Sequence, residues 1–230
     1  MSAITSPRLA RFALPPSIRP SQGEGRCELC GEALSEEHRH VADVQNRSLL
    51  CACRACAVLL GRPGAGGGHY RLVPDRRVLL EDLRLSDEQW ASLQLPVDLA
   101  FFFHSTPAGR VVALYPSPLG ATESQLGLDT WEELERENPE LRELEPDVEA
   151  LLVNRARDTR AHFLVPIDDC YALVALIRSR WKGFAGGEEV WREIDRFFER
   201  LRARRSRCIR ARSARRSRSS SWRRGRRSSA

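Results

Sequence analysis

Two cysteine pairs carry the chemistry that this chain offers. Cys27 and Cys30 form a C-x-x-C followed at once by Gly31, and Cys53 and Cys56 form a second that leads into the apolar run Ala57, Val58, Leu59 and Leu60. Between Cys27 and Cys56 fall five of the seven cysteines and two of the five histidines. Thiolates three positions apart in a tight turn can both face one cation, and a glycine after the second frees the backbone to turn its amides toward the sulfurs. A second pair at the first turn of a helix meets the positive end of the helix dipole, which lowers the thiol pKa and favours the charged ligand form. Four thiolates in tetrahedral array suit zinc, with iron as the main rival. The spacing therefore predicts metal ligation by Cys27, Cys30, Cys53 and Cys56 in a knuckle, hairpin and helix of treble-clef type.

Three neighbours complicate the ligand set. Cys51 is separated from Cys53 by one residue and could replace it, while His38 and His40 alternate along an expected strand and so face the same side. Either histidine could complete a mixed site, but beside Glu36, Glu37 and Arg39 they read more simply as a polar strand face. Thiol exchange, the other use of C-x-x-C, lacks a strand and helix of thioredoxin type around either pair.

The elements that must hold these residues follow from composition and pattern. With 230 residues and 42% hydrophobic content, the chain can bury one sizeable core, or a core plus a small metal module. No apolar run approaches the roughly twenty residues of a membrane span, and the N-terminal MSAITSPRLARFALPPSIRP has no apolar signal core. Thiols and metal ligands rather than disulfides are expected, in a reducing cytoplasm. The net charge of +6 is unevenly divided: from Arg200 onward there are fourteen arginines and no acid, whereas the preceding 199 residues carry 23 basic and 31 acidic side chains. An acidic body is a poor match for a phosphate backbone. The Arg/Ser tail could make weak, salt-sensitive contacts with nucleic acid, although a disordered appendage is the simpler reading.

An α+β fold is expected, divided into a disordered N-terminus (1–22), a zinc-binding knuckle module (23–68), a mixed α+β domain (69–202) and a disordered Arg/Ser-rich tail (203–230). The Gly-rich stretch from Gly61 to Tyr70 follows a helix and lacks a P-loop lysine, so it reads as a flexible loop. Ser86 to Gln89 spell a capping box for a short helix with Trp90 and Leu93. Val97–Phe103 and Arg110–Tyr115 read as a hairpin buried on both faces, with prolines ending the second strand and Ser117, Thr122, Glu123 and Ser124 in a turn. His104 at the bend has no evident carboxylate or nucleophile partner. Further expectations are a helix capped by Asp129, a strand in the second half of Asp147–Arg155, a strand at His162–Val165 and a helix from Asp169 to Arg180 capped by Asp168. Cys170 falls on the apolar stripe of that helix as a core thiol, and Val190, Ile194, Phe197, Phe198 and Leu201 mark a last helix.

The metal stretch together with LPVDLAFFF, YPSPLGATES, DVEALLVNRARDTRAHFLVPIDDCYALVALIRSRW and GGEEVWREIDRFFERL resembles an uncharacterised actinobacterial family, domain of unknown function 5947, often encoded beside nickel-iron hydrogenase genes. The resemblance spans about residues 25 to 202 and implies only a hydrogenase context, with no catalytic residue to carry over. The function expected is a non-enzymatic, zinc-binding accessory protein whose partner is a hydrogenase subunit or maturation factor. Electron transfer through iron at the same thiolates is the alternative. A degenerate HNH-type nuclease, with His38 or His40 as base, is disfavoured because no histidine follows Cys56 on the helix to hold a catalytic metal, and because the body is acidic.

Overall fold

Two antiparallel sheets organise the chain, each in its own compact unit: residues up to Val73 with the turn Ser105–Arg110, and Pro74–His104 with the residues from Val111 onward. The structure, a computed structural model, describes residues 25–219 apart from 63, 125–127 and 184–185; side chains are described up to 204, except at 128 and 129. The expected N-terminal segment 1–22 and the end of the tail lie outside the described residues.

The first unit holds β1 (Arg39–Asp43), β2 (Ser48–Ala52), α1 (Arg54–Leu60) and β3 (Tyr70–Leu72), with strand order β2-β1-β3. Val41 and Ala52 are fully buried on one face of this sheet, where Ala57, Leu29, Leu60 and Leu72 pack against them. Within the glycine-rich stretch Ala65–Gly68 forms a short helical turn kinked at Gly66 and Gly67, whose φ values are 61° and 68°, and a Cβ on Gly66 would also meet the Tyr70 ring at 2.7 Å. The turn delivers β3 to β1, pairing Leu72 with Val41 and Tyr70 with Asp43. The unit consequently extends to Val73 rather than ending at 68, because three short strands share one hydrogen-bonded sheet.

The second unit is built on a six-stranded sheet. Its strands are β4 (Val78–Leu79), β5 (Leu99–Ser105), β6 (Arg110–Ser117), β7 (Gly120–Ser124), β8 (Glu149–Asn154) and β9 (Ala161–Pro166), in the order β4-β9-β8-β5-β6-β7. The helices are α2 (Asp87–Ser92), α3 (Leu128–Glu137), α4 (Ile167–Arg180) and α5 (Gly187–Ser219). Phe102 stacks on Trp131 of α3, whereas the adjacent Phe101 meets Tyr171 of α4, and Phe163 meets Phe198 of α5. Helices thus cover both faces of the sheet, which is why β5 and β8 are apolar without alternation. The capping box is as read: Ser86 Oγ accepts from the Gln89 amide at 3.1 Å, and Gln89 Oε1 accepts from the Ser86 amide at 2.9 Å.

Several boundaries differ from the sequence expectation. β6 runs through Pro116, which pairs with Ala121, and ends at Ser117 directly before Pro118, so only the second of the two prolines stands at the strand's end. α4 begins at Ile167 with Pro166 as N-cap, placing Asp168 in the first turn instead of at the cap. The cap expected at Asp129 lies outside the described side chains. α5 continues to Ser219, past the expected tail boundary at 203, as arginine and alanine are good helix formers. Among the described residues no helix is long and apolar enough to cross a membrane.

Two consecutive arginines tie the segment before β4 to the sheet and α4. Arg76 donates from Nε and a terminal nitrogen to the two oxygens of Glu149, both at 2.7 Å, and Arg77 grips Asp169 at 2.5 and 3.1 Å. Glu149 is 2% exposed and also accepts from the Glu145 amide at 3.0 Å. Removing one member of a buried pair leaves an uncompensated charge, so Arg76→Ala is expected to cost about 3–5 kcal/mol in urea denaturation. Replacing both Arg76 and Glu149 by apolar residues of similar volume should recover most of that loss.

Candidate metal centre

The knuckle is closed by backbone bonds before any thiol is considered. The Cys27 amide donates to the Glu32 carbonyl at 2.7 Å, the Gly31 amide to the Cys27 carbonyl at 2.8 Å, and Arg26 bridges to Ala33. Gly31 has φ 79°, the left-handed conformation that this turn requires immediately after Cys30. The knuckle is then fastened to β2: the Glu28 amide donates to the Cys51 carbonyl at 2.9 Å, and the Glu28 carboxylate accepts from the Cys51 amide at 2.6 Å. The second pair is placed by α1. Cys53 is its N-cap, and its sulfur accepts from the Cys56 amide at 3.4 Å.

These elements bring Cys27, Cys30, Cys53 and Cys56 together, with sulfurs all within 4.8 Å of one another. Cys30 and Cys53 Sγ are 3.6 Å apart, far from the roughly 2.05 Å of a disulfide, and all four are free thiols. Sulfurs about 2.3 Å from a tetrahedral zinc lie roughly 3.8 Å apart, so this donor set fits such an ion with little adjustment. Cys27 and Cys53 are buried, Cys56 is partly covered and Cys30 is exposed.

The electrostatics show what the cluster needs. Burial opposes ionisation of Cys27, but backbone amides of Cys53, Leu29 and Cys30 outweigh it and hold this thiol down at about 6. Cys56 behaves oppositely: the neighbouring Cys30, then burial, Cys53 and Cys27, push it up to about 12. Cys30 is also raised; the Glu32 amide favours its thiolate, but proximity to Cys27 and Cys53 prevails. One thiolate is welcome here and four are not, unless a cation compensates them. The four cysteines could therefore bind a metal ion.

Cys51, His38 and His40 form a group of their own, apart from the four. His40 pairs with Cys51 across the hairpin, with the strand parity opposite to Val41 and Ala52, so these side chains leave the other face of the sheet. Among the remaining candidates, Cys170 is fully buried; burial first, then Asp169 and Asp168, push its thiol well above the ordinary range, as suits a core residue. His162 is buried too, and burial reinforced by Arg155 and Arg160 lowers it to about 4, keeping it neutral.

His104 does have a carboxylate partner. Its Nε2 lies 2.9 Å from Glu135 Oε1, which also accepts from the Trp131 indole at 2.6 Å. The pair was hidden because 31 residues separate its members, and only the packing of α3 beside β5 joins them. Ser117, at the end of β6, donates to the Gly120 carbonyl across the tight turn into β7, and its hydroxyl meets that of Thr122 at 3.1 Å; Thr122, Glu123 and Ser124, expected in a turn, instead lie in β7 and pair with β6.

The model of a family of unknown function, DUF5947, matches residues 26–205, and the chain belongs to that family. No curated protein and no solved structure matches it.

Metal binding at these thiols requires their deprotonation, so affinity falls as pH is lowered. In competition with a chromophoric chelator, Cys56→Ser should weaken the tightest site by more than the roughly 100-fold that loss of an outer-shell partner can cost. Cys51→Ser should leave that site unchanged, and acidification should release the ion from the unsubstituted chain.

Proposed function

We propose that in this member of the DUF5947 family Cys27, Cys30, Cys53 and Cys56 hold one structural zinc ion, and that the unit so formed docks a protein partner without catalysing a reaction. The observation that carries this reading is the convergence of four sulfurs within 4.8 Å. Four thiolates close the coordination sphere of zinc and leave no position for substrate, as in structural rather than catalytic sites. The order of knuckle, hairpin and helix is that of a treble clef. Its apolar centre is small, with Val41, Ala52 and Ala57 as the clustered buried residues, so metal bonds supply folding energy that the core does not.

The docking half of the proposal is supported by α1. Val58 and Leu59, directly after the ligand Cys56, are 59% and 64% exposed, an apolar pair on a helix positioned by the metal cluster. The resemblance to a family encoded beside nickel-iron hydrogenase genes makes a hydrogenase subunit or maturation factor the first partner to try. A cytoplasmic location accords with thiols used as ligands.

Metal analysis with an absorption spectrum, on protein from unsupplemented growth, tests the reading. One equivalent of zinc in the four-sulfur site and no visible bands are expected, and Val58→Asp with Leu59→Asp should abolish partner binding while leaving that zinc in place. Iron with visible sulfur-to-metal bands would contradict it and favour electron transfer through the same thiolates.

A further inference from the structure

The hairpin that carries the four-cysteine cluster presents a second, different donor set on its other face. Cys51 lies directly across from His40 in the β1-β2 register, and His38 stands immediately before β1, two positions from His40. Directly opposed residues have Cβ atoms about 4.5–5.5 Å apart, and residues two apart share a face. All three side chains are consequently neighbours, and one ligating atom from each lies within 4.8 Å of the others. The two imidazoles stand edge to face, with centroids 5.0 Å apart and planes at 70°, so their nitrogens can converge without stacking.

The state of His38 is the second and independent observation. Its Nδ1 lies 3.1 Å from the Ser35 carbonyl, an acceptor only, so Nδ1 carries the proton and Nε2 the lone pair. That Nε2 is buried and has no hydrogen-bond partner. A desolvated, unpartnered nitrogen costs about 1–3 kcal/mol. Metal-binding histidines are oriented in the same way, with one ring nitrogen donating to a carbonyl and the other kept as a bare donor for the ion. A polar strand face explains the proximity of the three residues, but not why this nitrogen is withdrawn from water.

We propose that His38, His40 and Cys51 form a second metal site, distinct from the four-cysteine cluster, that takes a borderline divalent transition ion such as zinc or cobalt. Two imidazoles and one thiolate exclude hard cations such as magnesium and calcium, which require oxygen ligands. Three protein ligands leave the fourth tetrahedral position to water or a small exogenous anion, the pattern of an exchangeable site. The ion takes the place of the thiol proton of Cys51, which is released on binding. This inference does not rest on the docking reading, since it concerns other residues on the other face of the sheet.

The test is a titration of the full chain, stripped of metal and kept anaerobic, with cobalt(II) alone. Two equivalents are expected: the first with intense thiolate-to-cobalt absorption from four sulfurs, the second with weaker absorption from one. Cys51→Ser, and separately His38→Ala with His40→Ala, should each remove the second equivalent and retain the first, whose spectrum also reports that the unit is folded. Azide should shift the bands of the second ion and not those of the first. Saturation at one equivalent in the unsubstituted chain would overturn the proposal, as would a second equivalent that persists in the double histidine variant. Bands of the second ion that ignore azide would overturn its open position.

Discussion

Four thiols held within 4.8 Å cannot all carry charge unless a cation sits among them, and the first unit is built around that constraint. The divergent thiols express it directly: Cys27 is held at about 6 by backbone amides, while Cys56 is driven to about 12 by its neighbours. The supporting structure is local and specific. Gly31 lets the knuckle turn back, Glu28 fastens the knuckle to β2 through both its amide and its carboxylate, and Cys53 serves as ligand candidate and helix cap at once. With a buried centre as small as Val41, Ala52 and Ala57, these polar fixtures decide the geometry more than apolar packing does.

The second unit answers to a different physics. Its sheet is covered by helices on both faces, and its central strands β5 and β8 are buried almost throughout. Charge enters that interior only under control. Glu149 is met by two nitrogens of Arg76 and a backbone amide, and Asp169 by Arg77, so each buried carboxylate has a guanidinium fork rather than a single contact. Replacing such a pair by well-packed apolar residues is often neutral, whereas removing one member leaves an uncompensated charge. The pair His104 and Glu135, with Trp131 donating to the same carboxylate oxygen, fixes α3 in a comparable way.

What could be read from the sequence was what is encoded locally. C-x-x-C spacing located the four thiols, S-x-x-Q located the cap of α2, and the apolar runs located β5, β6 and β8. Relations between distant segments were not legible. Nothing in the pattern announces that Arg76 finds Glu149, that His104 finds Glu135, or that Tyr70–Leu72 adds a third strand to the first sheet and moves its boundary to Val73. The grouping of Cys53 with the other three cysteines, and of Cys51 with the histidines, follows from where β2 ends: Cys53 lies past Ala52 and caps α1, while the register places Cys51 opposite His40 and both away from Val41 and Ala52. Pro116 within β6 shows tertiary context prevailing over a residue-type rule, whereas α5 continues past 203 on the helix propensity of its arginines and alanines.

The central claim is that one ion joins the knuckle to the start of α1 through four sulfurs. X-ray absorption at the zinc edge, on full-length protein loaded with a single equivalent, measures this most directly. The account requires a first shell of four sulfur atoms at about 2.3 Å with no oxygen or nitrogen neighbour. A shell containing nitrogen or oxygen, or a sulfur count of two or three, would contradict it.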